Sequence, residues 1–524
     1  MEDLDRILGK LFLIGIHGTS LNKENMKALN AIKPGAIIFF SRNVQHKNQL
    51  HKFIEDIKNF LGYEPLFSID QEGGMVTRLE KSFSVAPSAM AVAATGYSEN
   101  AYIAANTLAK EMLAVGIDWD YAPVVDINNN PLNSAIGIRS FSDDKNVVLK
   151  FASEFVKGLH DGGVLSCLKH FPGIGNVNID PHLDLPQSNL SKEELLLNEL
   201  FPFLNIKSSS WMPTHIYLPR IQNTREPVSV SKEILTDFVR NELDFKGVLV
   251  SDDLQMGGVS NFYSIEEATI KALNAGMDIV TICHSFDEQA KAKEAVVFEY
   301  KNNNDFKKIV KKALERINNL HNYSRNLKNK LSTEVSLADV GCKKHLDIMQ
   351  NICDQSITSF IDKKSSKEEI SSIEKLDNVF YFLKVKNTIG VEDSENKSKW
   401  LINQISKDFK LSPIDLTQSK KEDVINLSKN KINLIFTENA YLNEEISDLI
   451  LKIAHTSKET YLVALRNPYD IFLPQIKYGL CSYGYQLNSQ ISLYKTLKGE
   501  MKPIGKLPID RRSEYARISR NRKE

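Results

Sequence analysis

Short apolar runs recur through the first 290 or so residues: FLIGI (12–16), AIIFF (36–40), LFSID (66–70), WDYAPVVD (119–126), VLSCLKHF (164–171), SSWMPTH (209–215), GVLVSDD (247–253) and MDIVTIC (277–283). Each has the length of a buried strand and is too short for a helix. Between them, NQLHKFIEDIKNFLG and AYIAANTLAKEMLAVG carry apolar residues at helical spacing and close on a glycine that can cap a helix C-terminus. Ser264 followed by Glu267 is a capping box, and the helix it opens should end at Gly276. Eight strands alternating with helices predict a parallel sheet, closed as a TIM-type (β/α)8 barrel.

Beyond about residue 300 the pattern turns polar, with KNNNDFKK and DKKSSKEEISS as its extremes. Helices and a linker wrapping the barrel are expected there. Apolar runs then return as VFYFLKV (379–385), NLIFTEN (433–439), YLVAL (461–465) and GLCSYGY (479–485), separated by helical stretches such as LNEEISDLILKIAH. The expected organisation is a barrel over 1–325, a helical and polar linker over 326–370, and a smaller α/β three-layer domain over 371–524.

Composition narrows the class of partner. The chain has 524 residues, with 66 Lys+Arg against 66 Asp+Glu, so no net charge favours a nucleic acid or a membrane surface. Five cysteines without C-x-x-C spacing give neither a disulfide framework nor a zinc site, which fits a reducing compartment. The opening MEDLDRILGKLFLIGIHG is acidic where a secretory leader is basic, and no stretch reaches the roughly 20 apolar residues of a membrane span. The expectation is a cytoplasmic protein without a cofactor or metal; its oligomeric state is open.

Chemically able residues collect where the apolar runs end. Asp70 ends the third, Lys169 and His170 the fifth, His215 the sixth, and Asp252 with Asp253 the seventh. In a barrel all these ends open on one face, where active sites sit. Asp252, held on a buried strand, suits a nucleophile; Asp253 should point elsewhere by strand alternation and cap the next turn. In KHFPGIGNVNIDPHLDLP, Asp180 and His182 stand two apart in a loop, so the carboxylate could orient the imidazole for proton transfer, or the pair could simply hold the loop together. Arg78 and Arg139 are further polar candidates, although taken alone each reads as half of a surface ion pair.

IDQEGGMVTRL, AIGIRSF, KHFPGIGNVNIDPHLDLP, MPTHIYLP and FKGVLVSDDLQMGGVS resemble, in order and spacing, the motif series of the family 3 glycoside hydrolases, in particular the bacterial β-N-acetylglucosaminidases of the NagZ type. VALRNPYDI, CSYGY and GEMKPIGKLPI resemble the C-terminal domain of the two-domain members. The resemblance implies a retaining hydrolysis with Asp252 as nucleophile, His182 as acid/base and Asp180 as its partner. It assigns sugar binding to Asp70, Arg78, Arg139, Lys169 and His170. It implies an exo-β-N-acetylglucosaminidase releasing terminal GlcNAc from peptidoglycan-derived muropeptides in cell-wall recycling, through a covalent glycosyl-Asp intermediate.

The chain departs from the family pattern at three places. Ile174 and Asn176 stand where the family usually has a histidine and an aspartate, Ile138 where it has an aspartate, and Met75 where it often has an arginine. Other readings stay open at this point: a family 3 glycosidase or phosphorylase of other sugar specificity, and a catalytically weak sugar-binding sensor. A substrate-assisted route through the acetamido group is the mechanistic rival.

Overall fold

The structure is a computed structural model that describes residues 4–177, 184–332, 335–361, 373–383 and 399–510. All eight apolar runs contain strands: Phe12–Gly15, Ala36–Phe39, Leu66–Ile69, Trp119–Asp120, Leu165–Ser166 with Leu168–Phe171, Ser210–Pro213, Val248–Asp253 and Ile279–Ile282. Neighbours pair in parallel. The fifth run is split at Cys167. Its first half pairs with Trp119–Asp120 and its second with Ser210–Pro213, so the sheet comes round on itself through one continuous segment. Most of these strands are buried along their whole length, which is why they read as continuous apolar runs without alternation.

The helix signals hold at their ends. Lys47–Leu61 stops at Gly62 (φ 68°), Glu99–Val115 at Gly116 (φ 100°) and Ile265–Ala275 at Gly276 (φ 113°), each in the left-handed conformation that glycine adopts freely. Both bonds of the Ser264/Glu267 capping box form. In the Asn-rich stretch, Asn303 caps the helix Asn304–Asn329 by accepting from the amides of Asp305 and Phe306, and that helix lays Phe306, Val310, Ile317 and Leu320 on the barrel core. The segment DKKSSKEEISS lies outside the described residues.

The second sheet runs in the order Thr358–Ile361, Tyr478–Cys481, Glu459–Ala464, Ile432–Thr437, Asn378–Phe382, Ile414–Asp415. The first strand is antiparallel to its neighbour and the others pair in parallel. The outer two strands are additions to the four apolar runs; Thr358–Ile361 falls within the stretch expected to be linker. One apolar cluster of this sheet is its own. The other joins it to the barrel, bringing Met75, Met90 and Ile138 together with Tyr441, Tyr469 and Ile471. Among the described residues no helix is long and apolar enough to cross a membrane.

Candidate active site

The C-terminal ends of the barrel strands surround a cavity of about 370 Å³. Asp70, Arg78, Arg139, Lys169, His170 and Asp252 all line it. Asp180 and His182 lie outside the described residues. His215 does not line the cavity. Its Nδ1 pairs with Ser229 Oγ at 2.7 Å and its Nε2 with the backbone carbonyl of Asp253 at 2.9 Å, which makes it a brace for the strand carrying Asp252.

Two charge networks meet in this pocket. Lys169 Nζ stands 2.6 Å from Asp70 Oδ1 and 2.5 Å from Glu72 Oε1. Burial disfavours the ammonium, but the two carboxylates outweigh it and push its pKa up, so the lysine stays charged. Arg139 reaches the same Glu72 through two N–H donors. Burial alone would raise the Glu72 carboxyl, yet Arg139 and Lys169 hold it far below the usual carboxylate range. Neither arginine is half of a surface ion pair: Arg78 is 3% and Arg139 4% exposed. Arg78 Nη2 sits 3.9 Å from Asp70 Oδ2. Each cation is therefore fixed by carboxylates at the pocket wall.

His170 belongs to the second network. Its Nδ1 and its backbone amide both meet Asp126 Oδ2, at 2.7 and 3.1 Å, while Asp126 Oδ1 accepts the Ile174 amide at 2.7 Å. Arg139 Nη2 approaches His170 Nε2 at 3.2 Å. A guanidinium can only donate, so Nε2 accepts, and the proton sits on Nδ1 facing Asp126. The contact with Arg139 thus selects one tautomer of the ring. The peptide bond between Lys169 and His170 is cis.

Asp252 is held at both carboxylate oxygens. Thr214 Oγ1 donates to Oδ2 at 2.9 Å, and the Asp253 amide donates to Oδ1 at 3.0 Å. Asp253 does not point away as strand alternation predicts, for it lines the same cavity. The reason is a register shift against Ile279–Ile282 between Val250 and Asp253, which breaks the alternation at the strand end. Asp253 does act as a local cap, its Oδ1 accepting the Gln255 amide at 3.1 Å. Burial, reinforced by the neighbouring Asp252 charge and offset by the Gln255 amide, raises its carboxyl to about 7. His284 Nε2 lies 3.5 Å from Asp253 Oδ2. Burial and then the Arg42 and His17 charges lower that imidazole to about 4, so the contact is a neutral imidazole against a carboxyl group.

Sequence reasoning missed Glu72, Asp126 and Thr214 as site residues. All three stand within the quoted stretches: Glu72 in the short strand Gln71–Gly73, Asp126 in the loop after Trp119–Asp120, and Thr214 just past Ser210–Pro213. Where the chain departs from the family pattern, the loop is well anchored at its start. Asn133 Nδ2 donates to the carbonyls of Ile174 and Gly175 at 2.6 and 3.2 Å, and Asn176 Nδ2 to Ser188 Oγ at 3.0 Å. A Cβ on Gly175 would come within 1.6 Å of the Ile127 carbonyl oxygen, so only glycine fits there. The other two departures, Met75 and Ile138, are buried in the apolar cluster shared with the second domain.

A barrel with acids, bases and cations gathered at its strand ends defines a hydrolase-like pocket, and the comparisons give its family. The model of the glycosyl hydrolase family 3 N-terminal domain matches residues 3–320. The chain belongs to that family. It is 35% identical over 280 residues to a beta-hexosaminidase of Haemophilus influenzae, an alignment covering 52% of this chain and 79% of that protein. A family 3 β-N-acetylglucosaminidase from Paenibacillus sp. str. FPU-7 superposes with a TM-score of 0.86 at 27% identity, covering 97% of this chain and 99% of that one. NagZ from Neisseria gonorrhoeae, solved with N-trifluoroacetyl-D-glucosamine, matches at a TM-score of 0.54 and 28% identity over 66% of this chain and 98% of its own.

Proposed function

We propose that the protein is a retaining exo-β-N-acetylglucosaminidase that removes terminal β-GlcNAc from peptidoglycan-derived muropeptides in the cytoplasm. The observation that carries this reading is Asp252 at the mouth of a barrel, with both oxygens fixed, in one cavity with Asp70, Arg78, Arg139, Lys169 and His170. The names of the relatives and of the ligand bound to the gonococcal protein support an N-acylated glucosamine as the sugar. The chemistry falls to residues 1–325.

In the first step an Asp252 oxygen attacks the anomeric carbon as the glycosidic C–O bond breaks, and protonated His182 gives its proton to the leaving oxygen. In the second, water attacks the same carbon, His182 takes the water proton back, and the bond to Asp252 breaks. Two inversions at one carbon leave the anomer unchanged. The roles of His182 and Asp180 rest on the sequence motif. Asp70, Arg78, Lys169 and His170 offer the mixture of acceptors and donors that sugar hydroxyls need.

Steady-state hydrolysis of aryl β-GlcNAc and aryl β-glucoside by wild type, Asp252→Asn and His182→Ala tests the assignment. The expected result is turnover of the GlcNAc substrate, a loss of at least about a thousandfold in Asp252→Asn, and a smaller loss in His182→Ala because an activated aryl leaving group needs little protonation. Turnover of the glucoside in preference to the GlcNAc substrate would overturn the sugar assignment.

A further inference from the structure

The C-terminal end of the strand Glu459–Ala464 leads directly into Arg466 and Asn467, and this dipeptide of the second domain touches both loops that carry the Arg139–Glu72 pair. Asn467 Oδ1 accepts the Ile138 amide at 3.1 Å, one residue before Arg139. Arg466 Nη2 lies 3.4 Å from Met75 Sδ, three residues after Glu72. Asn467 is 2% exposed and is itself held, its Nδ2 donating to Tyr441 Oη at 3.0 Å and its amide to Asn439 Oδ1 at 3.2 Å. Tyr441 Oη in turn donates to the Pro131 carbonyl at 2.7 Å, and Asn128 Nδ2 donates to Tyr469 Oη at 2.8 Å.

The approach at Arg139 leaves no slack. Gly137 has φ +47°, and a Cβ there would come within 2.5 Å of Asn467 Oδ1. The turn Gly137–Arg139 is tied within its own loop by Asn133 Oδ1, which accepts the Ala135 and Ile136 amides at 3.0 and 3.2 Å, and by Arg139 Nη1, which donates to the Ala135 carbonyl at 2.8 Å, while the Ile138 amide is held from outside the loop. The Asn467 carbonyl oxygen supplies an anchor that comes from more than 300 residues away in the chain.

We propose that Asn467 is a positioning residue for Arg139, and that the second domain thereby sets how the barrel binds its sugar. This rests on the reading of Arg139 as a sugar-binding residue. Asn467 touches no reacting atom. By fixing the Ile138 amide it fixes the origin of the Arg139 side chain, whose guanidinium must meet Glu72 through two parallel hydrogen bonds and His170 through a third. Such a fork tolerates little displacement.

The test compares Asn467→Leu, which keeps the branching but removes both the acceptor for the Ile138 amide and the donor to Tyr441, with Asn467→Asp, which keeps an acceptor oxygen for the Ile138 amide. On aryl β-GlcNAc, Asn467→Leu should raise KM by about tenfold, the weight of one buried hydrogen bond, with a smaller change in kcat. Asn467→Asp should recover most of that loss. Amide exchange of the peptide covering 133–141 should quicken in Asn467→Leu, and this readout needs no turnover, so it decides the inference even if wild type proves inert on GlcNAc and the functional reading falls. A folded Asn467→Leu with wild-type KM and wild-type exchange overturns the inference. If Asn467→Leu does not fold, Tyr441→Phe takes its place, because it removes the hydroxyl that accepts from Asn467 Nδ2 and donates to the Pro131 carbonyl while leaving the Asn467 Oδ1 acceptor in place; a KM and exchange unchanged there would likewise overturn it.

Discussion

Arg139 donates Nε to Glu72 Oε2 and Nη2 to Glu72 Oε1, each at 2.8 Å, and both side chains are buried. A planar guanidinium and a carboxylate meet here edge to edge, the geometry that makes such pairs both strong and directional. Lys169 adds a second cation to the same carboxylate. Glu72 is therefore the counter-charge that lets two cations stay at the pocket wall.

Glu72→Gln removes that charge while keeping the shape. Breaking a buried pair from one side leaves the partner uncompensated and costs on the order of 3–5 kcal/mol. Denaturant unfolding of the variant should show a loss of this size together with a raised KM. A loss below about 1 kcal/mol would mean that Asp70 alone balances both cations.

Asp126 gives one oxygen to two donors of His170 and the other to the Ile174 amide. Asp126→Asn leaves one acceptor oxygen for those three N–H groups, and the imidazole loses the partner that fixes its tautomer. Losing one charge-assisted hydrogen bond predicts a rise in KM of roughly 10- to 100-fold on aryl β-GlcNAc. An unchanged KM would remove His170 from the sugar-binding set.

Thr214 holds the second oxygen of Asp252. Thr214→Val should lower kcat by about tenfold, the equivalent of one hydrogen bond, with KM little altered, because the carboxylate must be aimed at the anomeric carbon only in the reacting complex. A change confined to KM would place Thr214 against the bound sugar instead.

Asp120 is buried at the end of the strand Trp119–Asp120, and its Oδ1 accepts the Gln71 amide at 2.9 Å. Burial raises its carboxyl from 3.8 to about 8, against the partial offset of that amide and of Lys169. In the unfolded chain the group ionises near the ordinary value, whereas the folded protein keeps the proton until about pH 8. Its contribution to stability is thus full below about pH 4 and is lost as pH rises toward 8. Asp120→Asn removes this dependence, so the Tm difference between variant and wild type should grow in the variant's favour from about pH 5 to about pH 8. A difference that stays flat with pH would show Asp120 to be ionised in the folded state.

The barrel was legible because its strands are buried on both faces and announce themselves as apolar runs. The strand-end residues followed from the same pattern, and Asp70, Lys169, His170 and Asp252 do share one cavity. Asp253 departs from the expected alternation because a register shift between Val250 and Asp253 breaks it at the strand end, so Asp252 and Asp253 both face the cavity. Glu72 and Asp126 were not singled out because their importance lies in partners 67 and 44 residues away in the chain, Arg139 and His170. WDYAPVVD looked like one strand although only Trp119–Asp120 is one, which hid Asp126 as a loop residue aimed at its neighbour. The strand Thr358–Ile361 gave no signal of its own, since TSFI is short and only partly buried and owes its form to pairing with Tyr478–Cys481. The contact between Asn467 and Ile138 has no local pattern at all.

The central claim is that Asp252 forms a bond to the sugar. Inactivating the enzyme with a fluorosugar that accumulates the first intermediate, then digesting it and sequencing the peptides by mass spectrometry, tests that claim most directly. The account predicts one added glycosyl group per chain, on Asp252, and none in Asp252→Asn. A label on Asp253, or hydrolysis of β-GlcNAc with no trapped adduct at all, would contradict it.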